Sequence, residues 1–134
     1  MANSVSAFNS DGFTLGTDAN TNASGDKFVA WCWKESATSG FDIVTFTGNA
    51  TARTISHSLS AVPHMILFKN YTRSGVQWVV YHQSTGNTQA CYLNTTTAAV
   101  DVAGFFNDTT PTSSVFTVGT CLLYTSDAAD DLLC

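Results

Sequence analysis

Short apolar runs bounded by Gly, Asn, Ser and Thr recur along this chain, and they read as strands rather than helices. "KFVAWCWK" (Lys27 to Lys34) sets Phe28, Ala30 and Cys32 on one face and Val29, Trp31 and Trp33 on the other. Both faces are apolar, which predicts a central strand covered on both sides, with the two tryptophans buried. "FDIVTFT" (Phe41 to Thr47) and "ARTISH" (Ala52 to His57) flank Gly48-Asn49 and predict a hairpin. "HMILFK" (His64 to Lys69) follows Pro63, which starts strands but does not sit inside them. "QWVVYH" (Gln77 to His82), "QACYLN" (Gln89 to Asn94) and "SVFTVG" (Ser114 to Gly119) complete the set. Only Thr95 to Ala103 tolerates a helix, and its Thr and Val content argues against one. Seven or eight short strands separated by turn residues predict an all-β, antiparallel β-sandwich or jelly roll.

The chain also repeats itself. "FNSDGFTLGT" (Phe8 to Thr17) returns as "FNDTTPTSSVFTVGT" (Phe106 to Thr120), with Phe13-Thr14-Leu15-Gly16-Thr17 matching Phe116-Thr117-Val118-Gly119-Thr120. A module of about 100 residues, repeated in tandem, is the expected arrangement. Residues 1–36 then form the C-terminal end of one module. Residues 41–120 form the following segment and the start of the next, packing as one sandwich. The first copy continues into "DANTNASGDKFVAWCWKE", whereas the second gives way at Cys121 to "CLLYTSDAADDLLC". From Cys121 to Asp131 that tail resembles a translated transposase sequencing adapter, which implies that residues 121–134 are non-native and add nothing to the fold. The strand that would follow Thr120 is then lacking. Its place is expected to be taken by Lys27 to Lys34 beside Ser114 to Gly119, or left open to another chain.

Composition narrows the setting. Charged residues make up 11% of the chain, against about 25% in an ordinary globular domain. Hydroxyls and amides supply the polarity instead, as on exposed β-structure outside a cell. The net charge is −5, and no basic stripe exists to hold nucleic acid or anionic lipid. The start carries no pattern of a signal peptide, and no apolar run approaches membrane-spanning length, so membrane insertion is not expected.

Chemistry-bearing patterns are few. Cys32 and Cys91 fit no zinc spacing and read as buried free thiols, with a disulfide between them the alternative. His57, His64 and His82 share no face that spacing can show, and a loop hydrogen bond is the economical role for His57 and His82 at strand ends. "DANTNASGD" (Asp18 to Asp26) has the rhythm of a calcium loop. However, Ala23 stands where an EF-hand needs Gly and Val29 where it needs Glu, so a turn is the better reading. No nucleophile elbow, phosphate loop or paired-carboxylate pattern occurs, and neither a catalytic residue, a cofactor nor a metal is expected. Trp31, Trp33, Trp78, Tyr81 and Tyr92 are able to stack on sugar rings, although aromatics on such strands are more often core. Trp31, Trp78 and Tyr81 are the candidate glycan contacts.

"FNSDGFTLGT…NASGDKFVAWCWKE", "GFDIVTFTGNATARTISHSLSAVPHMILFKN", "WVVYH" and "FNDTTPTSSVFTVGT" together resemble a repeat domain of large virion-associated proteins of marine tailed phages, tail-fibre and appendage-like proteins among them. The resemblance covers nearly all of residues 8–120. It implies a concanavalin- or laminin-G-like jelly roll in a virion, with neighbouring repeats of the same polypeptide and host-surface glycans as partners. In that family "P-x-MI-x-x-K", here Pro63 to Lys69, lies near a module's start and the "AWCW" segment near its end. The chain would therefore be one period permuted across a repeat boundary. Ser60 stands where the family often has Gly, which puts the turn at "HSLSAVP" in doubt. The implied function is a structural or adhesion module of a tail fibre or other appendage. The alternative is a carbohydrate-binding module, and more remotely the accessory domain of a glycan-degrading enzyme.

Overall fold

A computed structural model of the chain describes residues 3–121. They fall into two compact units that divide between Trp33 and Lys34. Antiparallel strands dominate, with two single-turn helices.

The first unit is a hairpin of β1 (Val5–Asn9) and β2 (Gly12–Leu15), turning at Ser10-Asp11, followed by helix α1 (Ala19–Asn22). Its contacts are polar. Asp18 caps α1 by accepting the Asn20 N–H at 3.0 Å, and its other oxygen takes the Ser4 hydroxyl at 2.9 Å. Those bonds favour the charged carboxylate and hold the Asp18 pKa below its ordinary value, the backbone bond contributing most. The calcium-like rhythm of this segment is thus spent on a helix cap. The Gly16 N–H donates to Ser4 O at 3.1 Å, and a Cβ at Gly16 would lie 1.7 Å from Asn3 O, so only glycine allows this approach.

Beyond α1 the structure departs from expectation. Residues 27–34 form no strand and lie exposed throughout. Phe28 is 52%, Val29 80%, Trp31 72% and Trp33 63% exposed. A strand with two apolar faces is buried only if neighbouring strands and a layer on each side are supplied. The first unit offers one two-stranded hairpin with no buried residue of its own.

The second unit is an antiparallel β-sandwich. One layer pairs β3 (Arg53–Ser56) with β8 (Val115–Val118), in register from Arg53↔Val118 to Ser56↔Val115. The other is a four-stranded sheet in the order β4 (Met65–Phe68), β5 (Val79–His82), β6 (Gly86–Tyr92), β7 (Val100–Asp101). β8 takes β3 as its partner, and residues 27–34, expected as a strand beside Ser114 to Gly119, form no strand.

Between the layers Ile55, Phe68, Val79, Tyr81, Ala90, Phe116 and Val118 pack with Phe105 and Phe106 of helix α2 (Ala103–Phe106). Phe116 stands edge-on to Phe68 with ring centroids 5.6 Å apart, and Phe106 tilts onto the same Phe68 at 5.7 Å. Burying an aromatic of this size stabilises by about 1.5–3 kcal/mol, so this aromatic knot holds the two layers together. Helix α2 ends at Asn107, whose left-handed backbone (φ 52°) lets its N–H return to Ala103 O at 2.7 Å. It begins where the helix-tolerant window closes.

The hairpin expected over residues 41–57 is present only in outline. The chain turns at Ala50 (φ 56°), with Asn49 Oδ1 accepting the Thr51 N–H at 3.2 Å. The returning segments meet through side chains: Ser58 donates its N–H at 2.6 Å and its hydroxyl at 3.0 Å to Asp42, and the Arg53 guanidinium reaches Thr47 O. Among the described residues no ladder joins them, and β3 is paired with β8 alone. Val44 and Phe46 still alternate inward and pack on the core. Ser60, standing where glycine is frequent in the resembling family, keeps a left-handed backbone (φ 55°).

Asp42 yields a pH prediction. The Ser58 N–H above all holds its carboxyl below the ordinary 3.8. A depressed carboxylate contributes stability above its unfolded pKa and loses it as pH falls through the folded one. Asp42→Ala should therefore lower the thermal midpoint at neutral pH, and the gap to the parent chain should narrow below pH 3.8. A gap that stays constant into acid would show that the carboxylate charge is irrelevant.

The two copies of F-T-x-G-T have the same local build in different surroundings. In both, the Phe lies on a strand of an antiparallel pair and the Gly N–H donates to a backbone carbonyl, Gly16 to Ser4 and Gly119 to Phe105 at 2.7 Å. In both, the Gly presses on a carbonyl, and a Cβ at Gly119 would lie 2.2 Å from Gly104 O. Yet Phe116 and Val118 are buried, while Phe13 is half-exposed and Leu15 exposed. Cys121, the first residue of the tail, packs against the core and leaves no room for a Cβ on Gly104. The remainder of the tail, 122–134, lies outside the described residues.

Candidate functional site

Of the three candidate glycan contacts, the two in the second unit, Trp78 and Tyr81, do not share a face. Tyr81 is 4% exposed and belongs to the core, edge-on to Phe106 at 5.7 Å, and burial pushes its phenol pKa up. Three strand positions separate it from Trp78, so the two face opposite ways. Trp78 is 40% exposed, with the Lys69 ammonium 5.8 Å from its ring centroid, a cation–π contact that fixes the ring. Its backbone is held by Asn94, whose Oδ1 accepts the Trp78 N–H at 2.9 Å.

Trp31 belongs to the first unit. Its ring sits beside Trp33, centroids 6.1 Å apart and planes tilted by 39°. Val29, Ala30, Trp31, Cys32 and Trp33 form a shallow concavity of about 280 Å³.

A second apolar surface was missed. Across the sheet, Leu67 pairs with Val80 and Val80 with Cys91, which places all three on the face turned away from the core. Met65, Leu67, Trp78 and Leu93 are exposed there or beside it. The signal was "MILF" itself: a strand with four apolar residues in a row makes both faces apolar, and here the outer one is covered at Val80, 5% exposed, but open at Met65 and Leu67 on the sheet's edge.

The other candidates resolve simply. Cys32 is exposed and Cys91 half-buried, and both are free, so the expected burial of Cys32 does not hold and the two do not pair. His57 stacks on Phe116 at 6.3 Å, takes the Leu59 N–H at Nδ1 and faces Thr112 O from Nε2 at 3.2 Å. His82 takes the Ser84 N–H at 3.2 Å. Among the described residues no three His, Cys, Asp or Glu gather as metal ligands, and no helix is long and apolar enough to cross a membrane.

A family described as a domain of unknown function (DUF7483) matches residues 1–131. The chain belongs to this family. The DUF7483 match takes in both F-T-x-G-T segments, both units and the exposed strip between Phe28 and Trp33. No curated protein and no solved structure matches the chain.

Proposed function

We propose that this DUF7483 chain is a structural and adhesion module of a phage particle, part of a tail fibre or other appendage that meets the host surface. One observation carries the reading: the same strand-and-glycine segment occurs in both units, buried in one and uncovered in the other. Such a chain suits an array in which each module is finished by its neighbour, as in other repeat proteins. The resemblance of its motifs to virion-associated repeats supplies the setting. Mass spectrometry of purified phage particles tests it. The tryptic peptides 35–53 and 54–69 are expected in the particle fraction, and their recovery only from cell lysate would overturn the reading.

The paired Trp31 and Trp33 rings favour a second reading, binding of host glycans by stacking. Trp31→Ala is expected to leave stability within about 0.5 kcal/mol, as for an exposed side chain, while abolishing retention on a glycan array. Unchanged retention, or retention absent in the parent chain, removes this reading.

A further inference from the structure

Two features of the fold are incomplete in complementary ways. Residues 28–32 are apolar at every position, exposed, outside any regular element and without a strand partner among the described residues. In the second unit β4 is an edge strand, paired among the described residues with β5 on one side only. Its four residues, Met65-Ile66-Leu67-Phe68, are apolar on both faces and include no charge, proline or bulge. Proteins normally blunt an edge of that kind, because its open N–H and C=O groups template another strand.

We infer that residues 28–32 of one chain add as a fifth strand to the β4 edge of a second copy. The inference rests on the array reading above and names its contact. Backbone bonds join the two extended segments. Trp31 and Val29, which share one face, fall beside Leu67 and Met65 on the outer side of the sheet, while Phe28, Ala30 and Cys32 meet the core side. A strand with two apolar faces matches an edge with two apolar faces, and a hydrophilic peptide satisfies neither. At about 150–250 Å² for a whole aromatic side chain, the exposed parts of these residues on both partners sum to about 700 Å². That is below the size of stable specific interfaces, so the association is weak and depends on concentration. The contact is heterologous: donor and acceptor are different surfaces, so copies join head to tail instead of closing as a two-fold dimer.

This asymmetry gives the test, made on the full chain by sedimentation across a concentration series. The parent chain is expected to rise in average mass beyond a dimer. Trp31→Lys removes the donor and Leu67→Lys charges the acceptor edge; both positions are exposed, and each variant is expected to stay monomeric with an unchanged circular dichroism spectrum. Mixed together, they still hold one intact donor and one intact acceptor, and they are expected to form a one-to-one dimer and nothing larger. Should either variant misfold, Val29→Lys and Met65→Lys repeat the pair. A parent chain that stays monomeric, variants that associate like the parent, or a mixture that stays monomeric each overturn the inference. Sedimentation reads chain–chain association and particle proteomics reads the setting, so either can fail alone.

Discussion

Phe116→Ala will lower the unfolding free energy by about 3–5 kcal/mol, the usual loss for a large aromatic cut from a packed core. Phe116 joins the layers: its ring meets Phe68 at 5.6 Å, His57 at 6.3 Å and Phe46 at 6.4 Å. Alanine leaves a cavity bounded by three elements that cannot all close on it. Domains of this size have about 5–15 kcal/mol in total, so the variant should unfold at much lower urea. Phe8→Ala is the comparison, since Phe8 belongs to the opening of the first repeat copy yet is 87% exposed. It should move the curve by less than about 0.5 kcal/mol. Equal shifts for the two variants would show that the sandwich does not depend on the aromatic knot.

Gly119→Ala should cost about 2–4 kcal/mol, from overpacking and from loss of the Gly119 N–H bond to Phe105. The added methyl would sit 2.2 Å from Gly104 O, and Gly104 belongs to helix α2, whose Phe105 and Phe106 are locked in the core. Gly16→Ala makes a closer collision, 1.7 Å from Asn3 O. Asn3, however, precedes the first strand and is exposed, so the chain there yields. The expected result is faster amide exchange at Ser6 and Thr14 of the first hairpin, with the sandwich's midpoint unchanged. A midpoint that falls equally in both variants would show that the first unit's hairpin is as firmly held as the core.

These contrasts indicate what the sequence could tell. "MILF", "VVYH" and "SVFTVG" were legible as strands because alternation and bounding turn residues are local properties. The partner of "ARTIS" was not. Gly48-Asn49 marks a reversal of the chain, and the chain does reverse at Ala50, but a turn does not decide which backbone takes the hydrogen bonds. "KFVAWCWK" misled in another way: two apolar faces report a demand for cover, and nothing local says whether the same chain meets it. For the candidate site, strand parity was available in advance. Trp78 and Tyr81 are an odd number of positions apart, which on one extended strand forbids a common face. The exposed Trp31–Trp33 pair was not legible, since it follows from the missing neighbours of its segment.

The pairing of β3 with β8 spans about sixty residues of chain, and long-range pairing of this kind is slow to form. At about 5–20 residues per second of synthesis, the ribosome delivers Arg53 several seconds before Val118. As that interval proceeds the nascent second unit shows first Phe68, then Tyr81 and at the end Phe106 to solvent, because Phe116 does not yet exist to cover them. In a long array every module would pass through such a window in turn, beside its neighbours. The low charge of the chain offers little repulsion to keep them apart, so slowing translation after Phe106 should lower the soluble yield.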